Sequence, residues 1–118
     1  MRRILLCVAL LVATVPPAEA ITARTLHGNC VESGRAGDGE AVDWAFCAGF
    51  LRGAMDAWRV ERELSGEDRF CLPEEGIGME DALGAFATLY GQAEQTHGMP
   101  AAIVLLLALR QAYPCGDG

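Results

Sequence analysis

The chain contains no lysine; its nine fully charged basic residues are all arginines, set against sixteen aspartates and glutamates. The net charge of −7 argues against a nucleic acid or an anionic lipid surface as partner, because both are recognised through basic patches. Histidine is nearly as scarce. His27 and His97 lie in different segments, and neither has a signature nucleophile beside it, which argues against a catalytic role for either. The sequence has no glycine-rich phosphate loop, no EF-hand, no HExxH and no CxxC. Adjacent acids do occur, as Glu67 with Asp68, Glu74 with Glu75, and Glu80 with Asp81. On loops and helix starts such pairs read as solvated faces or partners of the helix dipole rather than as a glycosidase pair. These absences point to a binding or structural protein without enzymatic activity, cofactor or metal. No apolar run reaches the roughly 20 residues that a membrane span needs.

What the chain does have begins at its start. Arg2 and Arg3 precede the apolar run Ile4 to Val15, which breaks at Pro16-Pro17 and is followed by Ala18-Glu19-Ala20. A basic start, a short apolar run and a small-residue ending are the parts of a secretory signal, so residues 1–20 are expected to be cleaved after export. Cys7 leaves with them, and 98 of the 118 residues remain, enough for one domain over 21–118 and too few for two. The mature chain sets seven arginines against fifteen acids, a net charge of −8.

Four cysteines survive: Cys30, Cys47, Cys71 and Cys115. In an exported chain an even number without metal-binding spacing reads as two disulfides. Three pairings are open. Cys30 with Cys47 and Cys71 with Cys115 is preferred, because each bond ties neighbouring helices of a short bundle.

The patterning is helical throughout. Thr22 to Glu32 has room for about two turns that present Leu26 and Cys30 on one face, and Ser33 to Gly39, with three glycines, reads as a loop. From Glu40 to about Leu64, Val42, Phe46, Phe50, Ala54 and Ala57 with Trp58 recur every three or four residues among charged positions, the mark of a long amphipathic helix. Gly49 and Gly53 each cost about 1 kcal/mol relative to alanine in its interior. Their spacing implies an offsetting close contact with another helix, in the same bundle or in a second subunit.

Ser65 to Gly78 reads as a tied-down loop around the apolar plug Phe70-Cys71-Leu72, and Met79 to about Glu94 as a second amphipathic helix, with Glu80 and Asp81 in its first turn. Gly91 to Met99 then links to a last helix, with Pro100 at its first position and Ala101 to Leu109 apolar nearly all round. Such uniform apolarity is expected of a central helix, contacted on several sides or buried at a dimer interface. Trp44, Trp58, Tyr90 and Tyr113 are read as packing residues in preference to binding anchors. The expected architecture is an all-α, four-helix bundle-like domain stapled by two disulfides.

Several of these pieces occur together in a known arrangement. Asn29-Cys30, the block Cys47-Ala48-Gly49-Phe50-Leu51-Arg52-Gly53-Ala54-Met55-Asp56-Ala57, Cys71-Leu72-Pro73, Pro100-Ala101-Ala102, Ala108-Leu109 and Tyr113-Pro114-Cys115 resemble the Tai/Rap immunity proteins of type VI secretion systems. The resemblance spans nearly the whole mature chain. It implies a periplasmic, mainly helical protein with two disulfides, often a homodimer, that binds and blocks a toxic effector; in better known branches the effector is a peptidoglycan amidase. It also implies that a loop near the last two helices enters the effector's active-site cleft, which places Glu94, Gln95, Thr96 and His97 at the contact. Gly78 stands where relatives carry a threonine-like cap, and the glycine-rich insert at Ser33 to Gly39 is a second departure. An alternative reading is a periplasmic structural or acid-stress chaperone-like helical protein, whose many acids lose charge and loosen a dimer on acidification.

Overall fold

A computed structural model describes residues 19–32 and 41–116 of the chain. The expected signal peptide, apart from its last two residues, and the expected loop at Ser33 to Gly39 lie outside the described residues. Four α-helices are present among those described: α1 (Ala23–His27), α2 (Ala41–Ser65), α3 (Met79–Gln92) and α4 (Ala101–Ala112).

Helix α1 starts where Thr22 adopts extended backbone and its Oγ1 accepts the Thr25 amide at 3.3 Å, a side-chain N-cap. After one turn the chain loosens into a π-type turn over Gly28–Glu32. The expected two-turn helix is therefore divided, yet its apolar pair keeps one side: Leu26 is fully buried, and Cys30 packs against the same core.

Helix α2 faces the core with Phe46, Cys47, Phe50, Leu51, Ala54, Met55 and Trp58, spaced three or four apart. Ala57 falls outside that face and is exposed. The helix stops at Gly66, whose φ of 73° suits a residue without Cβ and whose amide donates to the Arg62 carbonyl at 2.7 Å. The plug that follows is held by Phe70, which meets Trp58 edge to face at 5.4 Å.

At the start of α3 the Gly78 amide donates to the Asp81 carboxylate at 3.0 Å. Glycine has no side chain to return the bond, so the cap is one-sided. Pro100 sits one position before α4, where its carbonyl accepts the Ile103 and Val104 amides.

Helices α3 and α4 form the most extensive pairing in the molecule. Phe86 from α3 and Val104, Leu105 and Leu109 from α4 are fully buried with Ala23 and Leu26 of α1, and Leu51 of α2 closes the cluster. The opposite face of α4 does not follow the expectation of a helix covered on several sides. Ile103 and Leu107, four residues apart, are 46% and 39% exposed.

Both disulfides join the preferred partners. Cys30 bonds Cys47, tying the π turn to α2, and Cys71 bonds Cys115, tying the plug to the chain beyond α4. The second crosslink is reinforced by the Cys71 amide, which donates to the Tyr113 carbonyl at 2.9 Å. The fold is all-α and disulfide-stapled.

Candidate functional site

The connection between α3 and α4 covers residues 93–100, and α3 ends two residues short of the end expected near Glu94. Helix α3 continues through Gln92, and Glu94–Thr96 form a single 3-10 turn. Within it the Thr96 amide donates to Ala93, the His97 amide to Glu94, and the Met99 amide to Thr96, all near 3 Å.

This loop is zipped to the beginning of the domain. The Ala23 amide donates to the Met99 carbonyl at 2.8 Å, the Arg24 amide to His97 at 3.0 Å, and the Ala101 amide to Ile21 at 2.8 Å, with an isolated antiparallel bridge between Thr22 and Pro100. Buried backbone groups need partners, and here the free amides at the start of α1 find theirs in carbonyls some 75 residues away.

The four candidate contact residues divide. Glu94 and Gln95 are exposed at the outer turn. Thr96 is 5% exposed, and its hydroxyl donates to the Ala93 carbonyl at 2.7 Å, so its side chain builds the turn rather than its outer surface. His97 is half-buried: its ring stacks on Tyr90 with centroids 3.7 Å apart, and its Nε2 lies 2.9 Å from the Tyr90 carbonyl oxygen. His27 also stacks on Tyr90, at 4.1 Å. The structure thus gathers both histidines of the chain around one phenol. Sequence reasoning did not foresee this, although Tyr90 and His97, one helix end and one turn apart, offered half of the signal.

Gly49 and Gly53 lie on the outer face of α2, where an added Cβ would meet nothing within 4 Å. Among the described residues, the expected close contact therefore has no partner helix within the bundle. Val60 and Leu64, 57% and 84% exposed, continue the same outward stripe at helical spacing. Trp44 is also exposed, at 58%, against the expectation that it packs, whereas Trp58, Tyr90 and Tyr113 do pack against the core.

On another side, a cleft of about 430 Å³ between α2 and the plug is lined by Trp58, Arg59, Arg62, Asp68, Arg69 and Phe70 among others. Its rim is occupied by ion pairs: Arg62 with Asp68 at 2.8 Å, and Arg69 with Glu61. The hydrogen bond from Arg69 holds the Glu61 carboxyl below the usual glutamate range, and the same bond raises the guanidinium. Both groups are solvated, so the pairs orient the 66–70 turn and add little stability.

Residues 22–115 match the family described as Rap1a immunity proteins. The chain belongs to the Rap1a immunity family. No curated protein and no solved structure gives a significant match. Membership agrees with the Tai/Rap resemblance and makes this Rap1a protein an immunity protein of the type VI secretion class, whose role is to bind a protein effector.

Proposed function

We propose that this Rap1a protein neutralises a periplasmic peptidoglycan amidase delivered by type VI secretion, and that it does so by seating the 93–99 loop in the amidase cleft. The observation that carries this reading is the family match over residues 22–115. Two features of the molecule support the geometry. Glu94 and Gln95 project from a turn whose backbone is pinned from both sides, so little ordering entropy is lost on binding. The mature charge of −8 steers the loop toward a basic cleft mouth. Export through the signal peptide puts the protein where cell-wall amidases act and where its four cysteines oxidise.

The working unit in this reading is a homodimer. Gly49, Gly53, Val60 and Leu64 share the exposed face of α2, small at one end and apolar at the other with Asp56 between, and an added Cβ at either glycine meets nothing within 4 Å. A second copy of α2 laid along that face supplies the close approach that offsets two helical glycines. Mixing the mature, oxidised protein with the effector encoded beside its gene and weighing the complex by light scattering tests both points. A complex containing two immunity chains is expected. Separate elution of the two proteins contradicts the inhibitor reading, and a complex with one immunity chain contradicts the dimer.

A further inference from the structure

Tyr90 is held between two imidazoles. His27 and Tyr90 are nearly parallel, with 9° between planes and 4.1 Å between centroids; His97 and Tyr90 are at 11° and 3.7 Å. Rings this close and this parallel to a third cannot share one of its faces without overlapping, so His27 covers one side of the phenol and His97 the other. The three residues come from α1, α3 and the loop after the 3-10 turn. His27 has Glu32 at 3.6 Å from its Nδ1, and His97 reaches the Tyr90 carbonyl oxygen, so each outer ring is oriented by a second contact. Phe86 lies one turn back from Tyr90 at 6.0 Å and joins the stack to the core.

We infer that His27, Tyr90 and His97 form a ring clamp that presets the 93–99 loop before any partner is bound, with Tyr90 and His27 as positioning residues that do not touch the partner. The backbone bonds from Ala23 and Arg24 to Met99 and His97 fix the loop's descending limb to α1. The 3-10 turn carrying Glu94 and Gln95 follows directly from α3, with the Ala93 amide on the Leu89 carbonyl, and the clamp adds a ring contact that holds the descending limb back against the same helix. A rigid loop of this kind binds without first being ordered, which shows in the partner's affinity. The clamp is a property of the free protein; only its use in binding rests on the reading that this loop is the contact.

Amide hydrogen exchange on the free, oxidised protein tests the clamp. Tyr90→Leu keeps apolar bulk but offers no ring face, Tyr90→Phe keeps the face, and His27→Leu removes only the long-range half from the edge of the core. In Tyr90→Leu and His27→Leu the Thr96, His97 and Met99 amides are expected to exchange about tenfold faster, while those of Leu105 and Leu109 in α4 keep their protection. Tyr90→Phe is expected to match the parent. Loop amides unchanged in both leucine variants, or an equal acceleration in α4, would overturn the clamp. Affinity for the effector is expected to fall in step with loop protection across the three variants. A loosened loop with full affinity overturns the loop as the contact surface and leaves the clamp intact.

Discussion

Replacing Cys71 and Cys115 by serine is expected to lower the unfolding free energy by about 4 kcal/mol, measured by urea titration of the mature protein at neutral pH. The bond closes a loop of 44 residues that runs from the plug's cysteine through all of α3 and all of α4. Releasing it returns that loop-closure entropy to the unfolded chain, and the cost grows with the logarithm of loop length. The other bond, Cys30 to Cys47, spans 17 residues and is expected to contribute about 3 kcal/mol on the same reasoning. Set against the 5–15 kcal/mol typical of a domain, either loss is a large fraction of the total. The ranking is the sharper expectation: a variant without the shorter crosslink that is less stable than one without the longer would show that the unfolded-chain account is wrong here. Oxidation of the two cysteine pairs is built into the stability of this protein.

The second large effect lies in the core. Phe86 is fully buried and is the largest such side chain, with Leu26, Val104, Leu105 and Leu109 also fully buried in the same cluster. Phe86→Ala is expected to cost about 3–5 kcal/mol, because the cavity opens where α1, α3 and α4 meet and the two disulfides limit how far these helices can collapse into it. It should also disturb the clamp, since Phe86 supports Tyr90 from the turn below. Thermal unfolding followed by circular dichroism reads the first effect. A loss under about 1 kcal/mol would mean that the three helices do not share one core.

Much of this architecture was legible. The 3.6-residue recurrence of Phe46, Phe50, Ala54 and Trp58 marked α2 because a helix packed on one side must alternate faces at that period. The cysteine pairing was legible as a preference because each bond joins segments that a short bundle brings together. Other features were not, and for physical reasons. Whether Ile103 and Leu107 are covered cannot be read from their apolarity, since the same run suits a helix buried all round and one with a face left over for a partner. The zip between Ile21–Arg24 and His97–Ala101 involves too few residues to impose an alternating pattern, and it joins segments far apart in the sequence. His27 and His97 looked unrelated because His27 lies far from Tyr90 and His97 in sequence; only the fold brings it to that pair. Of the candidate contact residues, resemblance placed all four in one loop, but it took the Thr96 hydrogen bond and the His97 stack to show that Glu94 and Gln95 alone are turned outward.

The central claim is that this exported acidic bundle protects a cell by binding a wall-degrading effector through the 93–99 loop. The most direct measurement is survival of cells that express the neighbouring effector in the periplasm together with this protein or its Glu94→Arg, Gln95→Arg variant. The account predicts growth with the parent chain and lysis with the double-arginine variant, at equal periplasmic levels of folded, disulfide-bonded protein. Lysis with the parent chain would contradict the immunity assignment, and full protection by the variant would contradict the loop as its instrument.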